Sequence, residues 1–203
     1  MLKEILAKAR FYSLFAHLIG AERGRRLYIE RHVRPRPGDR ILDIGCGPAD
    51  ILAALPKVDY HGFDLSNDYI MAARERFGAR GNFHVEGVNM ELVKKYAGFD
   101  LVLATGVLHH LTDAEAVNLF RVALAALKPG GRLVTLDGCF MDRQSPVARL
   151  ILKNDRGQFV RTESGYVALA RQVFTFVQPC ITTDLLRIPY THLILECRRP
   201  PDA

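Results

Sequence analysis

Residues 40–55 read RILDIGCGPADILAAL: an apolar run stops on Gly45 and Gly47, turns polar at Asp50 and then becomes apolar again. Glycine at such a point permits a tight turn and lets a ligand approach backbone that a Cβ would shield. The pair follows the first apolar run, the place where open α/β sheets bind ligands at the reversal of strand order, so a nucleotide-like ligand is implied. In the dinucleotide pattern Gly-x-Gly-x-x-Gly the third glycine packs beside a pyrophosphate; here that place is Asp50, whose carboxylate would repel phosphates. Asp43, just before Gly45, adds a negative group suited to a cationic or amine-bearing ligand. A second acid, Asp64, follows Gly45 by nineteen residues in HGFDLS. It is placed to accept both hydroxyls of a ribose or, alternatively, to cap a helix starting near Ser66; the neighbouring glycines favour the ribose.

The elements that must hold these groups follow from periodicity. Segments 40–44, 60–64, 82–86, 99–105 and 132–137 are short apolar strand candidates, and helical patterns lie between them. The clearest helix begins at Thr112, where Glu115 completes a capping box and Val117, Phe120, Leu124 and Leu127 share a face; Lys128-Pro129-Gly130-Gly131 ends it in a turn. Strand and helix in alternation predict an α/β fold with a parallel sheet covered on both faces. Segments 175–188 and 191–198 differ, being joined only by Pro189-Tyr190, which predicts a tight hairpin and one antiparallel pair.

The chain has 203 residues and 49% hydrophobic content, enough for one domain spanning 1–203. The absence of a long uncharged apolar stretch predicts a soluble, cytoplasmic protein with no membrane partner. Cys46, Cys139, Cys180 and Cys197 are widely spaced, so neither a metal site nor a disulfide framework is expected. The net charge of +6 arises entirely in residues 1–40, which hold ten Lys or Arg against four acids, and most of these bases are read as a solvated face.

ILDIGCGPAD, GFDLS, FDLVLATGVLHHL and LKPGGRLV, in that order, resemble four motifs of the class I S-adenosylmethionine-dependent methyltransferases of the small-molecule type. The resemblance covers roughly residues 38–138 by motif and the terminal thirty by element order. It implies a Rossmann-like three-layer sandwich, with a mostly parallel seven-stranded sheet and a reversed last strand. It implies S-adenosylmethionine as cofactor: Gly45, Cys46 and Gly47 against its methionine and ribose, Asp43 near its amino group, Asp64 on the ribose hydroxyls and Leu65 on the adenine. Ala104 and Thr105 would border the amino-acid moiety. In VEGVNMEL many relatives carry an acid directly after the glycine to bind the adenine amine; this chain has Val88, so the Asn89 side chain, or backbone at Asn89 and Met90, would serve instead.

Methyl transfer from a sulfonium releases a neutral thioether, so alignment of donor and nucleophile is the main requirement, worth roughly 7–11 kcal/mol. A base matters only where the nucleophile must lose a proton. His109 and His110, in the loop after the fourth strand, are the candidates, His110 being the better placed to face the site; the alternative is that the rings pack on the next helix. Acceptor choice is assigned to two variable segments: an N-terminal helical cap, 1–37, whose Tyr12 would close the site unless FYSLF is simply core, and a lid, 138–161. The lid has five basic residues against two acidic ones, which would let Arg156 or Arg161 read an anionic acceptor. The expected activity is methylation of an O, N or C atom of a small metabolite by a monomer or homodimer. RNA or protein methylation is the alternative, with nucleic acid disfavoured by the lack of an aromatic-basic module; a cofactor-binding protein without turnover is another, and a dehydrogenase is disfavoured by Asp50 and the hairpin.

Overall fold

The computed structural model describes residues 19–154 and 157–202. In chain order they form α1 (Ala21–Tyr28), continued by a π turn at Ile29–Val33, then β1 (Arg40–Ile44), a 3-10 turn (Asp50–Ala54), β2 (Asp59–Asp64), α2 (Asn67–Phe77) and β3 (Asn82–Val85). There follow α3 (Met90–Tyr96), β4 (Phe99–Thr105), α4 (Asp113–Ala126), β5 (Leu127–Phe140), α5 (Pro146–Lys153), β6 (Arg161–Thr162), α6 (Glu163–Ala170), β7 (Phe176–Thr182) and β8 (His192–Arg198).

The strands line up in the order β3-β2-β1-β4-β5-β8-β7, with the two-residue β6 pairing with the end of β5. β8 runs antiparallel to both β5 and β7, and the remaining pairs are parallel. This is the expected Rossmann-like sheet with a reversed last strand. Its order reverses between β1 and β4, so the carboxyl ends of those strands face a crevice where ligands bind.

Each face has its own apolar layer. Leu42, Val102 and Leu133 point to one side, against Val117, Phe120 and Ala123 of α4 and Leu169 of α6. Ile41, Leu101, Leu103 and Val134 point to the other, against Tyr28 and Ile29 of the first helical segment and Ile70, Ala73 and Phe77 of α2. The alternation along β1 and β4 is the period-two geometry of a strand buried on both faces. The capping box is formed: Glu115 N–H donates to Thr112 Oγ1 (3.4 Å), and Thr112 N–H to Glu115 Oε2 (2.9 Å).

Two expectations are corrected. The terminal strands are not joined by Pro189-Tyr190 alone: β7 ends at Thr182, and residues 183–191 fold back on α1. The cause is a polar anchor at Asp184, whose side chain accepts from Thr182 Oγ1 (2.5 Å) and Arg31 Nη1 (2.7 Å) while its carbonyl accepts from Arg23 (3.0 Å). Leu185 is buried there, and its carbonyl lies 2.3 Å from where a Cβ on Gly24 would sit, so α1 needs a glycine at that position. The second correction concerns Lys128–Gly131, which lies within β5 as an irregularity: the register passes from Phe99↔Leu127 to Leu101↔Arg132. Residues 1–18, with Tyr12 and about half of the expected cap, lie outside the described residues, as does Arg156.

Candidate functional site

At the carboxyl ends of β1, β2, β3 and β4 lies a cavity of about 520 Å³. Asp64, Glu86 and the backbone of Gly45 and Gly87 give it a polar side, while Leu65, Val88, Leu111 and Leu119 are among its apolar walls. The glycine turn is built by backbone bonds: Gly45 N–H and Cys46 N–H both donate to Phe63 O, at 2.8 and 3.0 Å. Gly45 has φ +69°, and a Cβ there would meet Val107 Cγ2 at 2.7 Å, so glycine is required by both conformation and space. Gly47 also has positive φ, with nothing within 4 Å of its missing Cβ. One glycine admits the neighbouring loop, and the other leaves open surface.

Asp64 organises this turn. Its Oδ2 accepts from Gly47 N–H (2.9 Å) and its Oδ1 from Ser66 N–H (2.8 Å). The helix cap is Ser66 instead, whose Oγ accepts from Tyr69 N–H (3.3 Å). Each Asp64 oxygen keeps a further lone pair for a ligand at the cavity rim. Asp43 sits inside the sheet, 2% exposed, with its Oδ2 accepting the Tyr60 hydroxyl proton at 2.6 Å. Its other oxygen is buried without a hydrogen-bond partner. Burial, helped by the charge of Asp64 and opposed by the Tyr60 bond, raises its pKa to about 7.

Asp50 does not face the ligand side as the sequence argument supposed. Its Oδ2 binds Arg25 (3.1 Å) and its Oδ1 Arg76, so the acid ties the turn to α1 and α2. Leu65 is 80% exposed on the cavity rim, where it can cover a ligand. Asn89 caps α3, its Oδ1 accepting from Leu92 N–H at 2.9 Å, so its side-chain oxygen is already engaged. Glu86 lines the cavity instead. Ala104 is fully buried, while Cys46 and Thr105 are half-buried and Met90 is exposed.

The two histidines differ in burial. His109 is the buried one; its Nδ1 lies 2.8 Å from Asp137 Oδ1, which also accepts from the His109 backbone N–H at 3.2 Å. Burial raises the Asp137 pKa, and the bonds from His109 pull it back. His110 is exposed, its ring centroid 4.2 Å from that of His109, and neither residue is among those lining the cavity. Asp137 carried no signal beyond ending an apolar run, and nothing local pairs it with a histidine 28 residues earlier.

Arg161 is engaged within the fold. Its guanidinium donates to the carbonyls of Leu108 (3.0 Å), Phe159 (2.9 Å) and Leu111 (2.7 Å), and to Asp113 Oδ1 (2.7 Å), with 11% of the side chain exposed. It holds the loop after β4 to the start of α4. Phe159 N–H donates to His109 O (2.9 Å), and Gly157 packs so closely that a Cβ would fall 1.9 Å from His109 Cδ2. The far end of the expected lid is thus fastened to the histidine loop. The apolar wall from α4 was missed, although Glu115, Leu119 and Val122 recur at helical spacing on a single face.

Among the described residues no helix is long and apolar enough to cross a membrane, and no group of three or more His, Cys, Asp or Glu could hold a metal ion. A methyltransferase-domain family matches residues 42–133. The chain is 38% identical over 110 residues to a 27-O-demethylrifamycin SV methyltransferase of Amycolatopsis mediterranei, covering 50% of this chain and 39% of that protein. It is 32% identical over 111 residues to a ubiquinone biosynthesis O-methyltransferase of Xylella fastidiosa, covering 52% and 44%. The aligned segment therefore spans less than half the length of these curated relatives. A TehB-like S-adenosylmethionine-dependent methyltransferase from Corynebacterium glutamicum superposes with TM-score 0.65 at 18% identity, covering 95% of this chain and 99% of that one, which shows the shared fold. Over residues 42–133 the chain matches the methyltransferase-domain family, and its strand order and glycine turn are those of the fold it shares with S-adenosylmethionine-dependent methyltransferases.

Proposed function

We propose that this chain methylates an O, N or C atom of a small metabolite, using S-adenosylmethionine. The observation that carries the reading is the cavity at the switch point, with bare backbone at Gly45, an acid at Asp64 and apolar walls between. The residues fit the cofactor: Asp43 has a buried oxygen without a partner beside the glycine turn, and Gly47 leaves empty the space that a Cβ would take.

Asp64 would accept the ribose hydroxyls with its remaining lone pairs, Leu65 and Val88 would enclose the adenine, and Glu86 would offer the acceptor that an acid after Gly87 gives in relatives. Asp43 would complement the cationic amino group, with Ala104 and Thr105 bordering it. When bound, S-adenosylmethionine supplies an electrophilic methyl group on a sulfonium. The protein's part is alignment and exclusion of water. Asp137 holds His109 in one orientation, and this pair is read as fixing the loop beside the acceptor; Arg161 braces the same loop and does not read acceptor charge. His110 is left as the base for acceptors that must lose a proton. Both relatives bear the names of small-molecule methyltransferases, which supports a small acceptor here.

Titration calorimetry with S-adenosylhomocysteine tests the reading. The ligand should bind, NAD should not, and Asp64→Asn should weaken binding roughly 10- to 100-fold, the loss of a charge-assisted bond. Turnover is checked by release of S-adenosylhomocysteine across a panel of phenols, amines and carboxylates. Preference for NAD, or an Asp64→Asn affinity within twofold of the parent, would refute it.

A further inference from the structure

The opposite edge of the sheet carries a second cleft. The amino ends of β4 and β5 and the carboxyl end of β8 surround a cavity of about 470 Å³. β4 has seven residues, which at a rise of about 3.3 Å each puts this edge roughly 20 Å from the glycine turn. Its chemistry is the reverse of the first cavity's, since Leu101 is the one aliphatic side chain among residues that are otherwise charged or glycine.

Five bases line it, Arg34, Arg36, Lys128, Arg132 and Arg198, against three acids, Asp39, Asp100 and Glu196. The excess is concentrated. Glu196 alone meets three guanidinium groups: Arg34 Nη2 at 2.5 Å, Arg198 Nη2 at 2.6 Å and Arg132 Nη1 at 3.6 Å. One carboxylate therefore faces three positive charges. Arg132 is held in place by the carbonyls of His32 and Val33. Burial lowers its pKa from the usual arginine value; Glu196 opposes that shift, and the like charges of Arg34 and Arg198 add to it. Lys128 pairs with Asp100 at the other wall. Asp39 accepts from the Arg36 backbone N–H at 2.7 Å, whereas the Arg36 guanidinium has no hydrogen-bond partner among the described residues.

The backbone is also specialised here. Arg34 has φ +44°, a left-handed conformation that an arginine adopts only at some cost, and it carries the side chain to Glu196. Gly130, with φ +75°, has nothing within 4 Å of its missing Cβ, so this wall stays open.

We propose that this cleft is a second binding site, for a small, multiply charged anion of the polyphosphate class. Several phosphoryl oxygens would suit a ring of guanidinium forks, which bind such oxygens in pairs. The lack of an apolar or aromatic wall argues against recognition of a nucleobase.

Inorganic tripolyphosphate is the probe, titrated by calorimetry into the whole chain at low and physiological salt. One saturable site is expected, weakening with salt. Arg36→Gln and Lys128→Gln should each reduce affinity about tenfold or more, while S-adenosylhomocysteine affinity changes less than twofold. Neither residue lies in the sheet core, so both variants should fold, which their melting temperatures check. No saturable binding at millimolar tripolyphosphate, or affinity unchanged in both variants, would overturn the proposal. So would a short single-stranded RNA that binds the cleft more than a hundredfold tighter than tripolyphosphate, which would mark a nucleic-acid surface.

Discussion

Asp43→Asn should flatten the dependence of stability on pH. The carboxyl group lies inside the sheet with one oxygen on Tyr60 and the other without a partner, and burial pushes its pKa up to about 7 from the ordinary aspartate value of 3.8. Between those values the folded chain retains a proton that the unfolded chain has lost. The stability this group contributes is therefore fully present below about pH 4 and is lost as the pH rises toward 7. At 1.36 kcal/mol per unit the whole interval amounts to about 4 kcal/mol, of which about 3 kcal/mol falls above pH 5. Asparagine keeps an acceptor for the Tyr60 hydroxyl and does not ionise. In urea unfolding without cofactor, the parent should lose about 3 kcal/mol more than the variant between pH 5 and 8. Differencing the two proteins cancels the titration of other groups. Parallel pH profiles would refute the reasoning, because they would mean that the buried carboxyl carries no proton that folding retains.

Two further outcomes follow from the fastening of the histidine loop. Gly157→Ala would place a Cβ 1.9 Å from His109 Cδ2 and 2.7 Å from its carbonyl oxygen, and should destabilise the fold by roughly 1–3 kcal/mol, read as a lowered melting temperature. Arg161→Gln removes donors from the Leu108, Phe159 and Leu111 carbonyls and should cost about 1–3 kcal/mol of stability while leaving S-adenosylhomocysteine affinity nearly unchanged. A raised acceptor KM without loss of stability would instead return Arg161 to the substrate.

The sheet was legible because its signals are local. Five apolar runs, a capping box at Thr112 and glycines at one strand end each depend on neighbours within a few residues. The terminal strands were harder, because what lengthens their connection is Asp184, held by Arg23 and Arg31 from a distant segment. Charged side chains misled for the same reason. Asp50 and Arg161 are ambiguous in sequence, and their partners, Arg25 and Arg76 for one and Asp113 with three carbonyls for the other, are set by folding. His109 and Asp137 likewise meet only across β4 and β5.

The fastening of 157–161 to the histidine loop also constrains how the segment after β5 can move. At its near end Gln144 Nε2 donates to Cys139 O (2.9 Å) and to Thr191 Oγ1 (2.8 Å); at its far end Phe159 is bonded to His109. Between these pins Ala148 and Leu152 of α5 are buried, and Leu152 Cδ2 lies 2.6 Å from where a Cβ on Gly138 would sit, so the segment is also seated on β5. Held at three places, the segment braces the end of β5 as a strut does, rather than hanging over it as a free cover.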